Sequence, residues 1–365
     1  MIITQVKTYI LDVSLKQRTI TDSQSSVDSV EFVQVRIDTD EGISGWGFNW
    51  NYSKGIRAVQ AIIEDTYAPH LIGEDPFRHK TLLRELYYKN HFIGRVGISR
   101  VGLCAVNQAL WDIRLKSVGL PLWEYLGPCK DRVKAYNTDG GWLSWSVDEL
   151  ITDMKGLIDR GFDAVKMKIG RPDPREDYYR VKAVRQAIGE DVKLMVDANT
   201  VWDLKTAMVW GRRLEEFDIY WLEEPLCPFD KRAHAELAKS LDVPIAVGET
   251  IYTKYDFRDY IEMGAVDIIQ ADCTKLLGID EWLDTAALAR AYNLEVAPHT
   301  NVQQKLHVQL AAASPNVNMV EYCYESLADI WEDPVRVVDG CYTLPEEPGL
   351  GCKLTDHILE TCRIG

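Results

Sequence analysis

Along the second two-thirds of the chain, ionisable side chains recur at the ends of short apolar or β-branched runs: Lys166 and Lys168 in AVKMKI, Asp197 in KLMVDAN, Glu223 in IYWLEEP, Glu249 in PIAVGET, Asp272 in VDIIQAD, His299 in LEVAPHT and Glu321 in NMVEYCY. Asp197, Glu223 and Glu249 offer only hard oxygen donors from three successive runs. That set suits Mg2+, with Mn2+ as a substitute, and disfavours zinc because neither Cys nor His joins it. On an extended strand Lys166 and Lys168 share one face. Two neighbouring ammonium groups disfavour each other's protonation and confinement adds desolvation. One of them is therefore expected well below the free lysine value of about 10.4 and able to act as a base. Asp272, one run before His299, is suited to bond one imidazole nitrogen, fix the tautomer and make the other nitrogen a competent acid or base. A divalent cation between a lysine base and a His/Asp pair suits removal of a proton next to a carboxylate, since the cation can neutralise the enediolate dianion that forms. The substrate is then a small organic acid. These carboxylates could instead merely balance the two lysines, but that would spend buried charge where apolar packing stabilises better. The remaining histidines, at 70, 79, 91, 234, 307 and 357, lack such company and are expected to be structural or exposed.

Something must hold these groups together. The runs stand about 25 residues apart and alternate with amphipathic stretches, the spacing of βα units. Eight strands are expected, over 135–140, 164–169, 193–199, 219–225, 244–250, 266–272, 294–300 and 318–324. In one unit Asp173 is placed to cap a helix with Pro174 in its first turn and Glu176 three residues on. Val181, Val184 and Ile188 form the apolar stripe and Gly189 ends it. Eight such units favour a closed parallel barrel whose site lies at the C-terminal strand ends. An open doubly wound sheet would need a glycine-rich phosphate loop, which is absent. Residues 1–130 differ: strands near 2–13 and 30–38, then helices near 54–69, 76–88 and 99–118, make a separate α+β domain. Two polar stretches in it, 18–29 and 50–55, are candidate mobile loops over a pocket.

Charge and composition narrow the field. A net charge of −15 without long runs of one sign argues against nucleic acid or an anionic membrane as partner. The eight cysteines are scattered, with no CxxC, as reduced thiols of a cytoplasmic protein would be. The N-terminal stretch lacks the charged and apolar regions of a signal peptide, and no run is long enough to span a membrane.

These motifs, in this order, resemble the enolase superfamily and within it the mandelate racemase subgroup: ALWDIRLKSVGLPLWEYLG in the first domain, then KMK, VDAN, WLEEP, VGET, the Asp272 run, APH and VEY. The superfamily's Lys or His base with Mg2+ is a known pattern. The resemblance implies a modified TIM barrel, (β/α)7β, over 131–325, an N-terminal α+β capping domain, and a C-terminal segment, 326–365, that returns to the cap. It implies one Mg2+ per subunit on Asp197, Glu223 and Glu249, and Lys168 as base. Lys166 would touch the substrate carboxylate and lower its neighbour's pKa. His299 with Asp272 would be the second acid/base, Glu321 would hydrogen-bond a substrate carboxylate oxygen, and Asn199 would lend support. Relatives that carry a catalytic lysine on the sixth strand are set aside because this chain has Asp272 there, and Lys275 has the wrong parity for the same face. Leu277-Gly278 and QAD replace the family's usual Gly-Gly and PD, leaving the loop after that strand open.

YNTDGGW and APH resemble acid-sugar dehydratases such as those acting on galactarate and L-talarate. The expected activity is therefore dehydration of a sugar acid to a 2-keto-3-deoxy acid. Racemisation, epimerisation or cycloisomerisation by the same enediolate chemistry is the alternative, and noncatalytic binding a weaker one. A homo-oligomer is expected by the same resemblance.

Overall fold

The computed structural model describes residues 1–15, 19–52, 54–300, 302, 304–323 and 325–364. The first part is a three-stranded antiparallel sheet, β1 (Ile3–Ser14), β2 (Ser29–Thr39) and β3 (Ser44–Asn51), with β2 in the middle. The longer helices that follow are α1 (Ile56–Ile62), α2 (His79–Lys89) and α3 (Ile98–Val118). The 21-residue α3 lies directly on β3. Gly45 and Gly47 permit this contact, because a Cβ on either would come within 2.1 Å and 2.0 Å of the carbonyl oxygens of Ala109 and Ala105. The expected strands and helices of this region are present, with β3 as an additional strand.

Eight parallel strands then alternate with seven helices. The strands are β4 (Val133–Asn137), β5 (Ala164–Lys168), β6 (Lys193–Asp197), β7 (Ile219–Glu223), β8 (Ile245–Val247), β9 (Ile268–Ile269), β10 (Glu295–Val296) and β11 (Met319–Tyr322). The helices are α4 (Val147–Asp159), α5 (Pro174–Ile188), α6 (Leu204–Leu214), α7 (Lys231–Ser240), α8 (Lys254–Glu262), α9 (Ile279–Ala291) and α10 (Gln304–Ala312). β11 pairs with β4, and Val296 bridges to Val317, so the sheet closes on itself. The fold is the expected (β/α)7β barrel with its α+β cap.

Strand alternation sorts the side chains. Val165 and Met167 point outward into the layer under the helices, while Ala164 joins Tyr136, Met195, Trp221, Ala246, Ile268, Ala297 and Met319 inside the barrel. Lys166, two residues beyond Ala164, is therefore interior and buried. α5 starts as expected at Asp173, though its carboxylate accepts from the N–H of Arg175. β9 and β10 are two residues long where seven were expected. Beyond them the chain stays extended on isolated hydrogen bonds, Gln270 N–H to the Val247 carbonyl (2.8 Å) and Ala297 N–H to that of Ile269 (2.9 Å). Asp272 and His299 thus sit on loops just past the ladder. Near the end of the chain, Asp12 N–H bonds the Cys362 carbonyl and Ile364 N–H bonds that of Ile10, both at 3.0 Å, joining this segment to β1. Among the described residues no helix is long and apolar enough to cross a membrane.

Candidate active site

The parallel register sets Lys168, Asp197 and Glu223 side by side across β5, β6 and β7. Glu249 follows β8 after Gly248, where the chain runs so close to its neighbour that a Cβ would fall 2.2 Å from the carbonyl carbon of Gln270. One oxygen from each of Asp197, Glu223 and Glu249 lies within 4.8 Å of the others. Asp197 and Glu223 are buried, Glu249 half-buried. Burial and the adjacent Asp197 push Glu223 up to about 7. That is the electrostatic mark of a site short of positive charge. A compact, all-oxygen set of this kind fits Mg2+. Glu223 is held from behind: the Trp221 indole N–H (3.0 Å) and the Gln270 amide (2.6 Å) both donate to its Oε2.

Lys166 Nζ lies 2.6 Å from Glu223 Oε1, 3.1 Å from Glu321 Oε1 and 3.6 Å from Asp197 Oδ2. Lys168 Nζ lies 2.5 Å from Asp197 Oδ2. The expectation of depressed lysine pKa values is not met in this state. Burial does act against both ammonium groups, but carboxylates outweigh it, chiefly Glu223 and Glu321 at Lys166 and Asp197 at Lys168, and both pKa values rise. Mutual lysine repulsion is real at Lys168 yet smaller than the attraction of Asp197.

His299 Nδ1 donates to Asp272 Oδ2 at 2.9 Å, while its Nε2 faces Glu249 Oε2 at 3.1 Å. Burial disfavours the imidazolium, but Glu249, Glu321 and Asp272 lift its pKa to about 9. The other Asp272 oxygen accepts from the N–H (2.7 Å) and hydroxyl (2.8 Å) of Thr274. His307, expected to stand apart, is wholly buried behind this pair, 3.4 Å from Asp272 Oδ1 and accepting the Cys273 N–H at Nε2. It sits on α10, so no strand spacing could have linked it to Asp272.

Glu321 accepts from the Thr138 hydroxyl and the Thr300 N–H, both at 3.0 Å. Although burial opposes ionisation, Lys166 and His299 hold it down at about 2. The hydrogen bond expected from Glu321 to a substrate carboxylate therefore needs a proton that this state does not carry. Asn199 stands as expected beside the acids, its amide 3.4 Å from Glu249 Oε1 and its N–H 2.9 Å from Asp197 Oδ1. Lys275 is directed elsewhere, its Nζ 3.9 Å over the Trp50 ring of the cap.

Lys168, Asn199, Glu249, His299 and Glu321 line one cavity of about 350 Å3, part of it open to solvent. Residues to which the motifs gave no role line it too, Thr138 and Trp142 of YNTDGGW and Cys323 in the barrel and Ile20, Asp22 and Tyr52 in the cap. Tyr52 and the pair Ile20 and Asp22 fall in the two polar stretches expected to lie over a pocket, of which Arg18 and Ser53 are outside the described residues.

Barrel, cap and a ring of acids around two lysines and a His/Asp pair define an enolase-type enzyme. Residues 149–358 match the model of the enolase C-terminal domain-like family, and residues 5–127 that of the mandelate racemase / muconate lactonizing enzyme N-terminal domain. The chain belongs to this mandelate racemase / muconate lactonizing enzyme family of the enolase superfamily. It is 32% identical over 352 residues to the L-talarate/galactarate dehydratase of Salmonella typhimurium, covering 95% of this chain and 87% of that one. It is 31% identical to the 3,6-anhydro-alpha-L-galactonate cycloisomerase of Streptomyces coelicolor over the full length of both. Among solved structures, a racemase from Streptomyces coelicolor with bound magnesium superposes with a TM-score of 0.94 at 31% identity, over 99% of this chain and all of that one. The chain's relatives are hydro-lyases and isomerases, and the superfamily's cofactor is Mg2+.

Proposed function

We propose that the enzyme dehydrates a sugar acid to its 2-keto-3-deoxy acid. The observation that carries this reading is that Lys168 and His299, the latter bonded to Asp272, line one cavity beside the three clustered carboxylates. Asp197, Glu223 and Glu249 would hold the Mg2+, whose positive charge would favour the negative charge that builds on the substrate carboxylate. Lys166, fixed among Glu223, Glu321 and Asp197, adds a second positive charge at that carboxylate. Lys168 takes the C2 proton once its ammonium has been discharged, or His299 does so from the other side. His299, as imidazolium, gives its Nε2 proton to the departing C3 hydroxyl, which leaves as water. The enol left behind tautomerises to the 2-keto acid. Asp272 keeps the imidazolium charged and Nε2 directed into the cavity.

Dehydratases acting on galactarate, arabinonate and galactonate are among the relatives, which supports elimination. Cycloisomerases among them support the second reading, in which the same groups move a proton without net loss of water. A panel of sugar acids tests the choice. Keto-acid formation from at least one member is expected. C2 hydrogen exchange in D2O without any keto acid would replace the dehydratase by the isomerase.

A further inference from the structure

Asp272 stands where the β9–β10 ladder has ended, so strand pairing no longer holds the main chain around it. Side chains of four other elements take over that task. The Trp282 indole of α9 donates to the Ala271 carbonyl at 2.8 Å. From the cap, the Cys104 thiol of α3 donates to the Cys273 carbonyl at 3.1 Å, and the Asn49 amide of β3 to that of Thr274 at 2.7 Å. The fourth is His307 of α10, whose Nε2 accepts the Cys273 N–H at 2.9 Å. That N–H belongs to the peptide joining Asp272 to Cys273. The Thr274 bonds to Oδ1 orient the carboxylate within its own loop, whereas His307 ties the loop to the barrel wall.

The same bond decides where His307 carries its proton. Nε2 offers its lone pair to the Cys273 N–H, so the ring is neutral and its hydrogen is on Nδ1, which has no hydrogen-bond partner among the described residues. A hydrogen on Nε2 would collide with that of Cys273. His307 therefore gives none to Asp272 Oδ1, although Nε2 lies 3.4 Å from it and the ring is wholly buried. It anchors the chain without drawing on the carboxylate's charge, which stays available to His299 Nδ1. A cationic side chain here would compete for that charge. We propose that His307 is a positioning residue for the elimination: as a neutral acceptor it fixes the Asp272–Cys273 peptide and so aims Asp272 Oδ2 at His299. This rests on the role given above to the His299–Asp272 pair and extends it to a residue outside the cavity lining.

Two variants of the Mg2+-loaded enzyme test it. His307→Leu leaves the Cys273 N–H without an acceptor, and His307→Gln sets a carbonyl oxygen near the place of Nε2. In His307→Leu, kcat for keto-acid formation should fall roughly 10- to 100-fold, with KM, Mg2+ affinity and Lys168-supported C2 exchange in D2O within a few-fold of wild type. His307→Gln should recover kcat to within a few-fold. Proton NMR without substrate reads the same effect: the downfield resonance of His299 Nδ1–H, assigned by its loss in Asp272→Asn, should move or broaden in His307→Leu and stay in His307→Gln. Nitrogen spectra of histidine-labelled wild type should show His307 protonated at Nδ1 alone. A proton on His307 Nε2, or a His307→Leu variant with wild-type kcat and an unmoved resonance, would overturn the proposal. So would a His307→Gln variant as impaired as His307→Leu, or a joint fall of exchange, Mg2+ binding and elimination in His307→Leu, the mark of a general loss of structure. Should His307→Leu not fold, the labelled wild type and the resonance in His307→Gln decide. If the wild type makes no keto acid from any sugar acid, the function proposed above falls, while resonance and tautomer still judge His307.

Discussion

Replacing Asp272 by Asn tests the proton-transfer assignment at its most determined point. Oδ1 of Asp272 must remain an acceptor because two Thr274 donors, the N–H and the hydroxyl, point at it. The amide nitrogen of Asp272→Asn is thus forced into the position of Oδ2, 2.9 Å from His299 Nδ1. It then donates where the carboxylate accepted, so Nδ1 must carry the lone pair and Nε2 the proton. The imidazole can no longer take a proton at Nε2, and the imidazolium loses its buried counter-charge. A charge-assisted hydrogen bond is worth about 1.5 to 3 kcal/mol, and the wrong tautomer adds to it. A barrier increase of about 4 kcal/mol, or roughly a thousandfold in kcat, is expected. The assay pairs keto-acid formation with NMR detection of C2 hydrogen exchange in D2O, on a sugar acid that the wild type turns over. Elimination should collapse while exchange supported by Lys168 persists, and Mg2+ affinity should stay within a few-fold. A variant whose kcat stayed within tenfold of wild type would refute the role given to the His299–Asp272 pair.

Three further changes probe other parts of the structure. Lys168→Met should bind Mg2+ but lose C2 exchange on the lysine face by at least about a thousandfold; exchange at the wild-type rate would remove Lys168 as the base. Gln270→Leu takes away the 2.6 Å bond to Glu223 Oε2 and should weaken Mg2+ about 10- to 100-fold in a calorimetric titration, with circular dichroism unchanged. Asp280, at the start of α9, accepts from Asn107 (2.8 Å) and Trp111 (2.9 Å) of the cap helix α3. Burial opposes its ionisation, but bonds from His79, Trp111 and Asn107 hold its pKa at about 2. Its stabilisation, about 2 kcal/mol, is complete above the unfolded value near 3.9 and is lost as pH falls through about 2. Urea unfolding at pH 7 and pH 2.5 should show the Asp280→Asn variant losing correspondingly less stability on acidification.

Much of the site was legible because strand parity is local. A residue two positions along a strand returns to the same face, so KMK, VDAN and WLEEP carry their geometry in sequence. Parity even holds at Asp272 and His299, where the ladder has stopped, because the chain there remains extended. What it could not supply was the charge balance. The lysines' pKa values depend on carboxylates of other strands, Asp197, Glu223 and Glu321, at 2.5 to 3.6 Å, and only the closed barrel sets those distances. Gln270 appeared in sequence only as a departure from a familiar motif, yet its amide grips Glu223. His307 reaches Asp272 from a helix, across a different periodicity. Trp142, Tyr52 and Asp22 lie in connections that carry no period at all.

The cavity's ceiling and floor are made by different parts of the chain. Every group proposed to move a proton or hold the cation is rooted in barrel strands or the loops just past them, while Ile20, Asp22 and Tyr52 descend from the cap. Part of the cavity wall is thereby written in a stretch of sequence apart from the groups proposed to act in it. Exchanging the short turn around Asp22 should leave those groups in place, provided that the Ser23 and Gln24 hydrogen bonds to the Ala198 and Asn199 carbonyls are kept.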